Sequence, residues 1–194
     1  MYHKLSIYLI LSFIIKSNRF KVADEMEKKY NARYWIEHLN LKPHPEGGYY
    51  RQTYKSELLL DGSFLNGINT NRPLFTLIYF LLDHDQFSAL HRLKSDEVWH
   101  FYFGSSLTLY ILSPTGSLEK RFLGPDFDRN QSFQQIVKAG HWFGADIDDK
   151  SSYSLVGCSV SPGFDFEDFE MGERDKLLNE FPDHKNLVER LTRC

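Results

Sequence analysis

Residues 91–104, HRLKSDEVWHFYFG, combine acid–base side chains with the alternation of a β-strand. Successive side chains of a strand point to opposite faces, so Glu97 shares a face with Trp99 and the phenylalanines that follow it. A carboxylate on a buried aromatic row is costly when it has no partner. We therefore expect Glu97 to accept a hydrogen bond, bind a cation or carry a proton inside the domain.

Short runs of aromatic and β-branched residues extend on both sides of this stretch, separated by Gly, Pro, Asn, Asp and Ser. This pattern is typical of an all-β domain. Residues 107–112 show the clearest alternation, with leucine and isoleucine on one face. The predicted strands are 49–54, 74–82, 87–91, 97–103, 107–112, 118–122, 133–137, 141–146 and 153–160.

Helical spacing of apolar residues appears only near the ends of the chain. It predicts one helix over residues 27–39, which stops before Pro43, and two more in the C-terminal segments 173–181 and 184–191. The sequence thus predicts one β domain with flanking helices.

Length and composition limit the classes of protein that fit. A chain of 194 residues with 42% hydrophobic content suits a single domain, which we place at residues 26–194. The net charge of -3 and the lack of a basic run argue against a nucleic-acid partner. Cys158 and Cys194 are too few for a disulfide framework, and we interpret both as free thiols.

Residues 1–25 are predicted to be an N-terminal extension, signal-like or disordered. Their apolar run, residues 5–15, is shorter than the roughly 20 residues that span a bilayer, so we expect no stable membrane insertion. It has the length of a signal-peptide core, but no small-residue cleavage site follows it. We predict a cytoplasmic protein, with secretion as the alternative if residues 1–25 act as a signal peptide.

The stretch resembles the first motif of the cupin superfamily, with His91, Glu97 and Gly104 at matching spacing. Leu93 stands where a second metal-binding histidine belongs, and Phe143 replaces the histidine of the second motif. Further segments are similar to one cupin subfamily of unassigned function: HPEGGYYRQTY, SDEVWHFYFG, AGHWFGA and LVGCSVSPGFDFEDFEM. The resemblance implies a double-stranded β-helix, or jelly-roll barrel, with a pocket in its mouth, and a homodimer.

Two readings of this pocket remain open. In the metal-free one, His91 and Glu97 form a hydrogen-bonded pair that exchanges protons near neutral pH, or a pair with no chemistry. In the other, a divalent metal, which we do not favour, is held by His91, Glu97 and His141.

Substrate-binding roles are predicted for four residues around the pair. Arg51 and Tyr49 share a strand face and suit a carboxylate, phosphate or sugar hydroxyl, although Arg51 paired with Glu46 at the rim is the alternative. Trp99 and His141 are expected to line the same cavity.

These residues suggest a small-molecule-binding cupin, with a small-molecule ligand as its partner. The first hypothesis is a non-redox isomerase, epimerase or lyase acting on a sugar-like, carbonyl or carboxylate substrate, with His91 as base and Glu97 as its orienting group or acid. The second is a metal-dependent dioxygenase. The third is a ligand-binding or sensing module without turnover.

Overall fold

The computed structural model describes residues 29–62 and 70–193, and the predicted extension of residues 1–25 lies outside them. The described chain is mostly β-structure, as the alternating pattern predicts. The strands are β1 Lys42–Pro43, β2 Tyr49–Lys55, β3 Leu59–Leu60, β4 Arg72–Pro73, β5 Thr76–Asp83, β6 Phe87–Leu93, β7 Asp96–Gly104, β8 Leu107–Leu112, β9 Leu118–Leu123, β10 Gln131–Ser132, β11 Gln134–Val137, β12 Trp142–Ile147, β13 Tyr153–Ser161 and β14 Phe169–Met171.

The strands form two six-stranded sheets and a short pair. The first sheet has the order β1-β2-β5-β13-β7-β11, and the second has the order β10-β9-β8-β12-β6-β14. β3 pairs with β4. Neighbours in sequence are often apart in the sheets, as in a jelly roll, where the chain crosses repeatedly between two sheets. The predicted double-stranded β-helix of the cupin kind is confirmed.

The main core lies between the inner faces of the two sheets. It joins Phe80, Val156 and Trp99 of the first sheet to Leu109 and Phe143 of the second, all of them 1% exposed or less. Burial of side chains of this size stabilises the fold by roughly 1.5–3 kcal/mol each. This core fixes the two sheets face to face and leaves one end of the space between them open.

The helices cover the outer faces of the sheets. α1, Ala32–His38, packs on the first sheet through Leu81 and Leu155. α2, Arg174–Glu180, and α3, Lys185–Arg190, pack with Trp142 and Leu90 on the outside of the second sheet. The predicted flanking helices are confirmed, although residues 27 and 28 of the first lie outside the described chain. No helix within the described ranges is long and apolar enough to cross a bilayer.

A β-bulge in β7 changes one predicted face. The β13 residues Leu155 and Val156 pair with Phe103 and Phe101, so Tyr102 is the extra residue. Such an insertion shifts the alternation of every side chain beyond it. Phe103 therefore packs against α1 on the outer face, whereas Phe101 stays with the main core. The predicted common face of Glu97, Trp99, Phe101 and Phe103 holds only for the first three.

Candidate functional site

A cavity of about 160 Å³ lies at the open end of the space between the sheets. Residues of β2, β5, β6, β7 and β13 form its walls, and the segment that leads into β14 forms one side of its mouth. The lining residues are His44, Glu46, Tyr50, Gln52, Thr76, Ile78, His91, Leu93, Glu97, Cys158, Val160, Phe164, Phe166 and Phe169.

Glu46 enters the cavity from a tight turn between β1 and β2. The turn is closed by backbone hydrogen bonds from His44 to Gly48 and from Gly47 back to His44, both 3.0 Å. Gly47 has φ +115°, and a Cβ there would meet the Phe87 carbonyl oxygen at 2.3 Å, so only glycine fits this close approach. The turn holds the Glu46 carboxyl 3.0 Å from the Ser88 hydroxyl, which donates to its Oε1.

His91 faces Glu46 rather than its predicted partner Glu97. His91 Nδ1 lies 2.7 Å from the Ala89 carbonyl oxygen, which can only accept, so Nδ1 carries a hydrogen. In the neutral ring Nε2 is then an acceptor, and it faces Glu46 Oε2 at 3.2 Å. A neutral imidazole beside an ionised carboxylate would place two acceptors face to face. The contact is therefore favourable as imidazole with carboxylic acid or as imidazolium with carboxylate.

Burial favours the uncharged form of this pair. It raises the pKa of Glu46, against the effects of His44, the Ser88 hydroxyl and Arg193. It lowers the pKa of His91, against the attraction of Glu97 and the hydrogen bond to Ala89. Both side chains are more than nine-tenths buried, so desolvation outweighs these contacts.

Glu97 lies in the same cavity with one oxygen unpartnered. Its Oε2 is buried without a hydrogen bond among the described residues. Burial raises the pKa of Glu97 to about 7, Glu46 adds to the rise, and His91 together with the Cys158 thiol and the Trp99 indole opposes it. A carboxyl with this pKa changes protonation state at neutral pH, which is where a general acid or base is most effective.

His44 and Cys158 complete the polar part of the cavity. His44 Nδ1 lies 3.5 Å from Glu46 Oε2 and accepts the Glu46 backbone N–H at 3.3 Å. Burial lowers the pKa of His44 and raises that of the Cys158 thiol well above its usual value. Cys158 is therefore a protonated thiol beside Glu97.

An arginine anchors the segment at the mouth. Arg72 donates to both oxygens of Asp168, at 2.6 and 3.0 Å, and to Glu167 at 3.0 Å. Phe164 donates its backbone N–H to Thr76 Oγ1 at 2.9 Å. These bonds place Phe164, Phe166 and Phe169 along one side of the opening.

The structure corrects the predicted placement of Tyr49 and Arg51. The β2 side chains that enter the cavity are Tyr50 and Gln52, so Tyr49 and Arg51 project from the opposite face. Tyr49 packs with the cluster under α1, and the Arg51 guanidinium lies 5.8 Å from the centre of the Tyr79 ring. The alternative pairing of Arg51 with Glu46 is also wrong, because Glu46 contacts His91 and His44.

Trp99 and His141 are likewise outside the predicted lining. Trp99 is 1% exposed and packs between Phe80 and Phe143 behind Glu97. His141 precedes β12 in a partly exposed turn, where its Nδ1 lies 3.3 Å from the Ala139 carbonyl oxygen. The turn at Gly140, with φ +76°, directs His141 away from the inner face of β12.

The donor set does not fit a cupin metal centre. His141 is not beside His91 and Glu97, so the predicted three-ligand set is not brought together. Leu93 and Phe143 offer no donor atoms, and both His91 nitrogens already face protein oxygens. Across residues 29–62 and 70–193, no group of three His, Cys, Asp or Glu side chains is arranged to hold a metal ion.

Sequence reasoning missed the catalytic potential of Glu46 and His44. Both lie in HPEGG, whose proline and glycines are typical of an exposed turn. The signal that could have found them is a glycine pair beside acid–base residues, because two glycines also permit a close backbone approach. Cys158 is a buried free thiol, as the sequence predicts, but its place beside Glu97 does not follow from the sequence pattern.

Fold and site together define a cupin whose cavity keeps His91 and Glu97 of the usual ligand positions and adds Glu46 and His44 beside them. The Cupin_5 family model, described as Cupin superfamily (DUF985), matches residues 33–172, and the chain belongs to this family.

Two solved structures are similar to it. A protein from Shewanella oneidensis shares 43% identity with a TM-score of 0.77, over 84% of this chain and 98% of that one. A hypothetical protein from Leishmania major shares 33% identity with a TM-score of 0.78, over 85% and 100% of the two chains. Among curated proteins there is no significant match.

Proposed function

We propose that the protein binds a small carbonyl compound in this cavity and transfers a proton on it, as a non-redox isomerase, epimerase or lyase. The observation that carries the proposal is Glu97, a buried carboxyl with an unpartnered oxygen and a pKa of about 7, in one cavity with His91 and Glu46, whose Nε2 and Oε2 lie 3.2 Å apart. Titratable groups of different proton affinity in one cavity are typical of acid–base sites.

The contacts assign different roles to the two groups. Both nitrogens of His91 face protein oxygens, so His91 has no free nitrogen for a substrate. Glu97 has a free oxygen, and we assign it as the base that removes a proton from the carbon next to the carbonyl. The carboxylic acid form of Glu46, which burial favours, then donates its proton to the carbonyl oxygen as negative charge develops there. This reverses the roles predicted from the sequence, where His91 was the base.

Exchange of hydrogen for deuterium tests the proposal without knowledge of the natural substrate. Phenylacetaldehyde and hydroxyacetone are incubated with the full chain in deuterated buffer, and incorporation next to the carbonyl is followed by NMR. General acid–base groups contribute about 10²–10⁴-fold, so Glu97→Gln should slow the exchange at least about 100-fold. Glu119→Gln is the matched surface control and should leave it unchanged.

Exchange at the wild-type rate in Glu97→Gln would remove its role as base. Binding of the probes without exchange would favour the ligand-binding or sensing module instead. The homodimer and the cytoplasmic location stay predictions, and sedimentation equilibrium of the purified chain tests the first.

A further inference from the structure

The cavity is polar at its floor and apolar at its mouth. Glu46, His91 and Glu97 at the floor are 6%, 2% and 6% exposed. Phe166, which also lines the cavity, is 55% exposed and therefore marks the mouth. A ligand that fits this arrangement directs its polar end inward and its apolar end towards solvent.

Three phenyl rings form the apolar part, which we call the phenylalanine collar: Phe164, Phe166 and Phe169. Phe164 meets Phe166 edge to face at 5.0 Å between ring centres, and Phe169 lies 6.1 and 6.3 Å from the other two. Phe169 also lies 5.3 Å from the His91 ring, so the collar begins directly beside the floor. Faces and edges of this kind accept a ring or a short alkyl chain.

Polyhydroxylated molecules suit the collar poorly. Hydroxyl groups placed against phenyl rings lose their hydrogen bonds to water without replacement, which is unfavourable. Gln52, an exposed residue of β2, supplies a polar side chain at the mouth, but the three rings opposite it supply none. Sugar hydroxyls placed against the collar would therefore be left unpaired, although Tyr50 and Thr76 also line the cavity.

Charged ligands also suit it poorly. No lysine or arginine is among the described residues that line the cavity. Arg193 approaches Glu46 only from outside, where its Nη2 lies 3.2 Å from the Glu46 backbone oxygen. Burial shifts the pKa values of Glu46, Glu97 and His91 towards their uncharged forms, and a ligand charge would meet the same desolvation cost.

The volume limits the ligand to a small molecule. An engineered cavity of about 150 Å³ in another protein holds benzene, so a cavity of about 160 Å³ accepts a ring of that size. Because the mouth is open at Phe166, one or two further atoms can extend beyond the collar.

We infer that the ligand is an uncharged amphipathic molecule of about seven or eight non-hydrogen atoms, with a hydroxyl or carbonyl head on Glu97 and a ring or short alkyl tail in the phenylalanine collar. This inference rests on the proposed function. It narrows the substrates to aldehydes, ketones or alcohols with an apolar tail, and it sets aside the carboxylate and sugar classes.

Four probes separate these ligand classes. Benzyl alcohol, benzoate and benzylammonium share one ring and differ in the charge of the head, and glucose represents the sugars. Binding to the full chain is measured by ligand-observed NMR at pH 7. We expect benzyl alcohol to bind at least about tenfold more tightly than each of the other three, because only its head is uncharged and its tail apolar.

A matched pair of variants locates the bound probe. Phe166→Ala removes one collar ring and should weaken benzyl alcohol at least about threefold. Phe127→Ala is the control, because Phe127 is 61% exposed and meets Phe133 edge to face at 5.0 Å, as Phe166 meets Phe164. It should leave binding unchanged.

The inference is overturned if benzyl alcohol does not bind at millimolar concentration, if a charged probe or glucose binds as tightly, or if Phe166→Ala has no effect. These measurements involve no turnover. Selective binding without deuterium exchange would refute the proposed proton transfer and leave the ligand class standing, so the two failures are distinguishable.

Discussion

Glu97 costs the folded protein stability whenever it is ionised. Its carboxyl is 6% exposed, and no lysine or arginine lines the cavity within the described ranges. The same desolvation that makes the ionised form costly also raises the affinity of the carboxylate for a proton. A buried carboxylate is therefore a stronger base than an exposed one. The cost is therefore measurable as a dependence of stability on pH.

Glu97→Gln should remove part of that dependence. In the folded chain the pKa of Glu97 is about 7, whereas the unfolded value is the ordinary one near 4.5. Between these values the folded state holds a proton that the unfolded chain has released, so the wild type loses stability as pH rises through this window, by about 3 kcal/mol at most. Urea unfolding from pH 4 to pH 8 should show the glutamine variant gaining relative to wild type over the same range.

Glu57→Gln, which removes an exposed carboxyl, is the control and should parallel the wild type. A wild-type slope retained in Glu97→Gln would mean that Glu97 is ionised and partnered in the folded state. Because His91 has a lowered pKa, it acts in the opposite direction, with stability lost as pH falls below its ordinary value. His44 acts in the same direction as His91, and Glu46, whose pKa burial also raises, acts in the same direction as Glu97. The difference between variant and wild type at each pH isolates the contribution of Glu97 together with its coupling to Glu46.

At the scale of elements, the segment that leads into β14 is held by one buried ion pair. Arg72 and Asp168 are 3% and 6% exposed, and their two hydrogen bonds are the bidentate kind that arginine forms with carboxylates. Removal of Arg72 leaves the buried Asp168 carboxylate with Lys94, whose Nζ lies 3.5 Å from its Oδ1. Loss of one partner of a buried pair is more costly than the pair itself is stabilising.

Arg72→Met should therefore destabilise the protein in urea unfolding, by less than the roughly 3–5 kcal/mol of an uncompensated buried charge, because Lys94 remains beside Asp168. It should also weaken benzyl alcohol, because the phenylalanine collar loses its anchor. Arg33→Met removes an exposed pair with Glu37 and serves as the control, for which we expect no measurable change. Equal stability of Arg72→Met and wild type would show that the segment is held by its phenylalanines alone.

The elements themselves were largely predictable, because alternation and turn residues are local signals. The nine predicted strands coincide with β2, β5 to β9 and β11 to β13. Each predicted end lies within two residues of the observed end. The face of β2 was not predictable, since YYRQTY places an aromatic and a polar residue on each side. Only the packing of α1 on the sheet decides that Tyr49 faces outward and Tyr50 inward.

The site was predictable only where it lies on a strand. Glu97 and His91 follow from the alternation of β7 and β6 and from the motif spacing. Glu46 reaches the cavity through a turn, where sequence pattern carries no information on burial. Its role depends on contacts with Ser88 and His91, some 40 residues away along the chain, which local propensity cannot encode.

At the scale of the whole molecule, the two sheets are those of a cupin, but the side chains at the usual metal site differ. Helices close the outer faces of both sheets, and the main core fills most of the space between them. The cavity at the open end of this interior contains buried acid–base groups that contact each other, His91 and Glu46 among them. The proposed chemistry therefore depends on protons supplied by the chain's own residues.

Removal of metal should consequently leave the molecule unchanged. A metal bound only by the folded state at 100 times its dissociation constant would contribute about 2.7 kcal/mol, which corresponds to a Tm shift of roughly 5–10 °C for a chain of this size. We expect dialysis against EDTA to shift the Tm by less than about 1 °C, and elemental analysis before dialysis to find less than about 0.1 iron, manganese, zinc or nickel per chain. A larger fall in Tm, restored by one of these metals, would mean that His91 turns from Ala89 to bind it, and would return the dioxygenase hypothesis to first place.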